Sequence, residues 1–150
     1  MRKLAITLSA VFLLVSANSF ATTNNETKVS AKAKTSFEKD FNGAENATWV
    51  KKDDVYFVTF DVDSKHNEAA YNEQGDLIAV SKTILLNEMP VAVRAAINNQ
   101  YAGYDIAKNA TEVVYNNETS YYINVANDTQ LLKLKCTVNG DITVDRETKR

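Results

Sequence analysis

The sequence predicts an α+β fold, a tandem repeat in which each unit is one helix followed by a four-stranded antiparallel meander. The four glycines form two matched pairs, Gly43 with Gly103 and Gly75 with Gly140, which lie 60 and 65 residues apart. Glycine marks backbone positions that exclude a side chain, so matched glycines indicate matched turns. In each half, apolar residues recur first at helical spacing and then in alternation, as expected of a helix followed by strands.

Residues 1–21 have the pattern of a secretory signal peptide and lie outside the predicted domain. Arg2 and Lys3 precede an apolar stretch at 4–15, and Ala21 ends a small-x-small cleavage site. This pattern predicts export, with cleavage after Ala21. The apolar stretch is shorter than the ~20 residues that span a bilayer, so we expect no stable membrane anchor. The mature protein should be periplasmic or secreted.

The first predicted repeat, residues 29–84, follows a polar segment at 22–28 that we expect to be a disordered lead-in. It opens with apolar residues at every fourth position, which is one face of a helix. These residues are Val29, Ala33, Phe37 and Phe41. Gly43 lies just after this stripe, where glycine commonly ends a helix. Alternating residues and short turns then predict strands at about 47–52, 55–63, 66–72 and 76–83.

The second predicted repeat, residues 87–146, has the same order. Pro90 should open its helix, because a first-turn residue needs no backbone N–H, and Asn87 is a candidate cap. The helical stripe is Val93, Ile97 and Tyr101. Strands are predicted at about 110–116, 119–126, 130–138 and 141–145. The Asn139–Gly140 pair is a strong signal for a two-residue hairpin.

Short turns between successive strands require antiparallel pairing. Each predicted helix has one apolar stripe and each strand one apolar face, so the helices should cover one side of the sheet and leave the other toward solvent. Residues 29–150 are therefore expected to be a single domain made of the two repeats.

Several segments resemble a known family. They are the helix that carries Phe37 and Phe41 with the strand at 48–52, residues 89–97 leading into 101–106, and the turn at 139–142. Over residues 30–145 the chain resembles the PepSY-like, beta-lactamase-inhibitor-like periplasmic proteins of the Bacteroidetes type. Ala102 stands where that family usually has a proline before the glycine. The resemblance implies the fold of beta-lactamase inhibitory protein, whose open sheet face grips a partner protein, and it supplies no catalytic residues.

The composition argues against nucleic acid as a partner and against a disulfide framework. The chain has 19 acidic and 17 basic residues, and its leader contributes only basic ones. Binding to nucleic acid depends on phosphate neutralisation by Lys and Arg, so it is not expected. Cys136 is the only cysteine and cannot form an intrachain disulfide. Stability should therefore come from packing and sheet pairing.

The sequence contains no pattern that predicts catalysis, a metal site or a cofactor. His66 lies beside polar residues and reads as an exposed side chain, since a metal site would need partners. Cys136 alternates with apolar residues and reads as part of the core. Asp61 and Asp63 share a predicted strand face, where solvation is the simplest explanation. A carboxylate pair for glycoside hydrolysis remains open, so a hydrolase is a third alternative.

The uncovered side of the sheet is the candidate binding site. Alternation points Phe57 and Tyr122 outward, at equivalent exposed positions of the two repeats, and Lys133 and Lys135 also face water. Trp49, in a neighbouring strand, is added to this set. Aromatic rings near lysines are typical of protein-binding surfaces. Ordinary cross-strand pairing that stiffens the sheet is the alternative explanation.

We therefore expect a non-enzymatic protein that binds an unknown periplasmic or extracellular protein or peptide on this side of the sheet, with inhibition as one form of that role. The alternative function is a carrier for a small apolar ligand held between helices and sheet. Its pocket would be lined by residues such as Phe37, Phe41, Val93 and Tyr101.

Overall fold

Two short helices begin where local sequence favours them. The computed structural model describes residues 29–150, so the predicted signal peptide and lead-in lie outside the described residues. Helix α1 spans Ala31–Asp40 and helix α2 spans Val91–Gln100. The side chain of Ser30 caps α1 by accepting a hydrogen bond from the Ala33 N–H at 3.4 Å. Pro90 directly precedes α2, where its fixed φ suits a helix start.

The prediction that Asn87 caps α2 is wrong. Asn87 lies in a single 3₁₀ turn, Leu86–Glu88, which precedes the helix. Glu88 closes this turn instead, because its Oε2 accepts a hydrogen bond from the Leu85 N–H at 2.7 Å. This 3₁₀ turn ends before Pro90, so it is a separate element from α2, which begins at Val91.

Eight strands form one antiparallel sheet in which each strand pairs with its neighbours in the chain. The strands are β1 (Glu45–Lys52), β2 (Val55–Val62), β3 (Lys65–Asn72), β4 (Leu77–Leu85), β5 (Asp105–Tyr115), β6 (Glu118–Ala126), β7 (Gln130–Thr137) and β8 (Ile142–Lys149). Helix α1 precedes β1, and α2 lies between β4 and β5 in the chain. The sequence-based strand positions agree closely for β1 to β4, β6 and β7.

Strands β5 and β8 are longer than predicted. β5 begins at Asp105, and its register with β6 shifts between Ile106 and Ala110. This bulge breaks the period-two pattern, so sequence alternation identified only the later part of the strand. β8 continues to Lys149, yet all of its residues after Ile142 are exposed. A strand whose side chains are almost all exposed lacks the alternation of apolar and polar residues by which strands are predicted from sequence.

The loops β3–β4 and β7–β8 are held by equivalent hydrogen bonds. The Asn72 N–H donates to the Asp76 carbonyl oxygen at 3.1 Å, and the Thr137 N–H donates to the Asp141 carbonyl oxygen at 2.9 Å. Side chains add a second link in each loop, Asn72 Nδ2 to Asp76 Oδ2 at 2.8 Å and Thr137 Oγ1 to Asp141 Oδ2 at 2.9 Å. The second loop therefore spans residues 138–141, and the predicted two-residue hairpin is wrong.

Each of these loops contains a glycine that approaches a helix. Gly75 has φ +87° and Gly140 has φ +93°. A Cβ on Gly75 would lie 2.9 Å from the Lys32 carbonyl oxygen in α1, and one on Gly140 would lie 2.9 Å from the Ala92 carbonyl oxygen in α2. Both the positive φ and the close backbone contact exclude a side chain.

Two apolar clusters join helix residues to strand residues. The first-half cluster consists of Ala33, Phe37, Tyr56, Val58, Phe60, Ala69 and Tyr71. The second-half cluster consists of Ile84, Met89, Val93, Ile97, Ala110, Tyr121, Ile123, Val125, Leu132, Leu134 and Cys136. In the first, the Phe37 ring lies 5.0 Å from Phe60 and 5.7 Å from Phe41, centroid to centroid. Aromatic pairs at such distances stabilise a core beyond their buried area.

The strand residues that alternate with these two clusters point to the other side of the sheet, which we call the open face. Strand register aligns them in rows across the sheet, because directly paired residues share a face. One row contains Thr83, Thr111, Tyr122, Lys135 and Thr143, and the next contains Asn124, Lys133 and Arg146.

Candidate functional site

The open face has an apolar half and a polar half. Its apolar half is the open-face cluster, formed by Val55, Phe57, Ala70 and Ala79, with Tyr115 packed against it. These residues come from β2, β3, β4 and β5. The polar half lies across β4 to β8 and contains the predicted residues Tyr122, Lys133 and Lys135. The four cluster residues are each at most 7% exposed, so the apolar area that this half offers a partner is that of the partly buried Tyr115 beside them.

Phe57 lies on the open face, but the expectation that it is exposed is wrong. Its side chain is only 7% exposed and is part of the open-face cluster. Phe57 pairs with Ala70 on β3 and with Val50 on β1. Alternation along a strand predicts which side of the sheet a residue faces. The burial of that residue depends also on the side chains of the neighbouring strands, which the alternation of a single strand does not reveal.

Trp49 does not lie on the open face. It pairs with Val58, a member of the first-half cluster. Its ring lies 5.4 Å from the Phe37 ring, edge to face, and 6.2 Å from the Tyr71 ring. Trp49 therefore packs on the opposite side of the sheet and cannot contact a partner on the open face.

Tyr122, Lys133 and Lys135 are brought together as the sequence predicts. Tyr122 pairs with Lys135, and Lys133 pairs with Asn124 in the adjacent row. The Lys133 Nζ lies 5.1 Å from the centroid of the Tyr122 ring, which is a cation–π distance. Such a contact contributes about 0.5–2 kcal/mol and holds the lysine head group over the ring.

Tyr122 and Lys133, but not Lys135, line a depression of about 470 Å³ in the polar half of the open face. Its lining residues are Thr83, Asn109, Ala110, Thr111, Tyr122, Ile123, Asn124, Leu131, Lys133, Arg146 and Thr148. Arg146 lies opposite Lys133 in the register of β7 and β8. It is a functional candidate that the sequence did not reveal. The predicted last strand ended at residue 145, so nothing placed Arg146 beside Lys133.

Lys133 is half-buried in this depression. Burial lowers the pKa of Lys133 from its usual range, Asp145 opposes this by raising the pKa, and Arg146 lowers it further. Among residues 29–150, no carboxylate forms an ion pair with Lys133, Lys135 or Arg146. The depression is thus a locally cationic site in a chain whose net charge is −2.

A partly buried carboxyl group lies on the other half of the open face. Glu68 pairs with Thr59 and Ser81, and burial raises its pKa to about 7, while His66 acts in the opposite direction. Asp61 accepts a hydrogen bond from Asn46 Nδ2 at 3.0 Å and lies 3.3 Å from His66 Nδ1. These two contacts lower the pKa of Asp61, so the two carboxyl groups differ in ionisation near neutral pH.

Asp63 does not share a strand face with Asp61. It lies in the β2–β3 turn with φ 50°, next to Ser64 with φ 60°. Two successive residues with positive φ form the tight hairpin that joins these strands. The predicted pair of aspartates on one face is therefore wrong.

His66 and Cys136 lie where the sequence places them. His66 is exposed at the start of β3, and Cys136 is fully buried in the second-half cluster. Burial raises the pKa of the Cys136 thiol to about 11, which keeps it protonated near neutral pH. Residues 29–150 contain no group of three or more His, Cys, Asp or Glu side chains that could hold a metal ion.

The residues proposed to line a single apolar ligand pocket lie in different clusters. Phe37 and Phe41 pack in the first-half cluster, whereas Val93 and Tyr101 pack in the second-half cluster. The two pairs therefore pack in separate apolar clusters. Each instead contributes to the packing of its own helix.

Comparison with known proteins shows a common fold. No protein-family model matches the chain, and no curated protein matches it in sequence. A solved structure from Bacteroides eggerthii, provisionally named as a periplasmic protein, has a TM-score of 0.69 at 16% identity, covering 81% of this chain and 88% of that one. A DUF2874 family protein from Bacteroides uniformis has a TM-score of 0.67 at 18% identity, covering 79% and 88%.

A BLIP-like protein from Bacteroides fragilis is similar to the same degree, with a TM-score of 0.67 at 18% identity and coverage of 81% and 86%. Neither helix of residues 29–150 is long and apolar enough to cross a membrane. At these identities the likeness concerns the fold alone. The eight-stranded antiparallel sheet with two helices is therefore the architecture that this chain shares with BLIP-like and DUF2874 proteins of Bacteroides.

Proposed function

We propose that this protein is an exported, non-enzymatic binding protein whose open face docks a protein or peptide partner. The observation that carries this proposal is the cationic depression in the polar half of the open face, where the Lys133 head group lies over the Tyr122 ring. Protein interfaces combine a desolvated apolar centre with polar groups that fix orientation. Tyr122, Lys133 and Lys135 would supply the polar contacts, and Tyr115 would border the apolar ones.

The fold comparison supports this function at the level of architecture. One of the similar structures is named BLIP-like, and a second is provisionally assigned to the periplasm. An inhibitory role toward an enzyme is one form that partner docking could take. Because fold alone does not determine function, the proposal rests on the surface of this chain rather than on the likeness.

The architecture itself is proposed to be a tandem repeat in which both helices cover the same side of the sheet. The matched loops at Gly75 and Gly140 support this, since each places its glycine against the helix of its own half. Signal cleavage after Ala21 is part of the same proposal, and export would deliver the domain to the periplasm or the exterior. The PepSY-like assignment also remains a proposal.

Affinity capture from a periplasmic extract tests the function. The wild-type protein should retain a partner that the double variant Tyr122→Ala plus Lys133→Ala loses. Val91→Ala is a matched control, because Val91 is 72% exposed on α2 and is not a residue of the open face. If all three proteins retain the same partner in equal amount, the open face is not the docking surface.

A further inference from the structure

Most of the side chains that line the depression on the open face can donate hydrogen bonds. Threonine hydroxyls come from β4, β5 and β8, and the Asn124 amide comes from β6. Lys133 and Arg146 add two cations from the paired strands β7 and β8. None of the lining residues that the structure describes is acidic. A group that accepts hydrogen bonds and carries negative charge fits these donors.

The two cations have no counter-charge of their own. Lys133 is half-buried, and neither Lys133 nor Arg146 forms an ion pair with a carboxylate of residues 29–150. Asp145 acts on Lys133 only at longer range, since it forms no ion pair with it. A lysine that is partly removed from water next to a second cation is unfavourable as a charged group unless an anion joins it. An incoming anion would therefore be bound more strongly here than on an ordinary lysine-bearing surface.

We propose that this depression receives the carboxylate of an acidic side chain, Asp or Glu, from a protein or peptide partner. The inference rests on the proposed function, because it identifies the chemistry of the partner that docks on the open face. Arg146 would bind the carboxylate through its planar fork and Lys133 would add a second charge-assisted hydrogen bond. The Tyr122 ring would hold the Lys133 head group in place.

The position of the depression favours a side chain within a segment over a chain terminus. Thr111 and Tyr122 lie in the interior of β5 and β6, with open-face residues on both sides of them along each strand. A partner segment can therefore continue across the sheet in both directions. Leu131, which lines the same depression two residues before Lys133 on β7, would contact an apolar residue of the same segment, so we expect an acidic residue near an apolar one.

Peptide titration followed by NMR tests the proposal directly. The probes are the blocked peptide acetyl-Ala-Leu-Ala-Glu-Ala-amide, its Gln analogue, the Gln peptide with a free C-terminal carboxylate, and inorganic phosphate. The Glu peptide should shift the amide signals of Thr111, Tyr122 and Lys133 and bind about tenfold more tightly than its Gln analogue. Its affinity should also fall as salt is added.

Matched variants separate the depression from general electrostatics. Lys133→Met and Arg146→Met should each weaken the Glu peptide about tenfold, whereas Lys133→Arg should retain most of the binding. Lys149→Met removes the same charge from β8 at an exposed site that does not line the depression, and it should change the affinity little. A circular-dichroism spectrum identical to wild type ensures that each variant is folded.

Several results would overturn the inference. They are equal binding of the Glu and Gln peptides, preference for the free C-terminus or for phosphate, or no shift at the depression with any probe. These results would leave the proposed function intact if affinity capture still yields a partner that the open-face double variant loses. Failure of that capture together with binding of the Glu peptide would instead reject the proposed function and keep the anion site.

Discussion

At the level of single residues, the side of the sheet that a residue faces was predictable, but its burial and its partners were not. Cys136 and Tyr122 lie on the predicted sides because alternation along their strands is regular. Phe57 is buried on the open face, and Trp49 packs on the opposite face, because neighbouring strands determine depth and register. Arg146 was missed for the same reason, since only the β7–β8 pairing places it beside Lys133.

Glu68 should make the stability of the protein depend on pH. Its pKa is about 7 in the folded protein and about 4.5 when unperturbed, so between these values the folded chain keeps a proton that the unfolded chain loses. The free energy of unfolding should therefore fall by on the order of 1–3 kcal/mol as pH rises through this window. His66, two residues before Glu68 on β3, and Asp61, which pairs with His66 from β2, are the titratable groups that lie near Glu68 on these two strands of the same face.

The variant Glu68→Gln stays neutral at every pH, so it should be more stable than wild type at about pH 8 and similar to it at about pH 4. Urea denaturation at the two pH values measures the difference. Glu147→Gln is the control, because Glu147 is exposed on β8. An equal effect of Glu68→Gln at both pH values would contradict the assignment of the pH dependence to Glu68.

Cys136 should be inert in the folded protein. The thiol is fully buried and its pKa is raised to about 11 by that burial, so both access and thiolate fraction are low near pH 8. A thiol-reactive dye should label the unfolded chain completely and the native protein only at the rate of unfolding. Labelling of the native protein as fast as the unfolded chain would place Cys136 outside the core.

At the level of elements, regular apolar patterns were sufficient to predict both helices and most strands. The stripe through Phe37 identified α1, and the stripe through Val93 and Ile97 identified α2. Prediction failed where a pattern is interrupted or absent, as at the β5 bulge and along the exposed strand β8. Gly75 and Gly140 lie in loops between strands, as the sequence predicts. In the structure each combines a positive φ with a close approach to a helix.

The two glycine pairs should respond differently to alanine. Gly140→Ala should destabilise the protein by on the order of 3 kcal/mol, because the new Cβ would need φ +93° and would lie 2.9 Å from the Ala92 carbonyl oxygen. Gly103→Ala is the matched control, with φ +89° but no atom within 4 Å of the new Cβ.

Gly103→Ala should therefore cost only the backbone strain, about 1–2 kcal/mol. Urea denaturation of both variants measures the difference, and Gly75→Ala and Gly43→Ala repeat the comparison in the first half. Equal losses for Gly140→Ala and Gly103→Ala would show that contact with α2 contributes nothing at that loop.

At the level of the whole molecule, the two halves are joined by a continuous strand pairing. β4 and β5 pair along seven consecutive residues, from Ala79 with Tyr115 to Leu85 with Asn109. Ser81 and Val113, which face each other at this junction, are both buried. Separation of the halves would expose this pairing and break its hydrogen bonds, so neither half should be stable while the other is unfolded.

The protein should therefore unfold in a single transition that two natural probes report together. Trp49, the only tryptophan, packs in the first-half cluster, and Cys136, the only cysteine, is buried in the second-half cluster. Trp49 fluorescence and labelling of Cys136 should give the same midpoint in urea. Val93→Ala, which removes buried volume from the second-half cluster only, should lower both midpoints equally. A midpoint that falls for Cys136 while Trp49 is unchanged would mean that each half unfolds independently and that the β4–β5 pairing does not couple them.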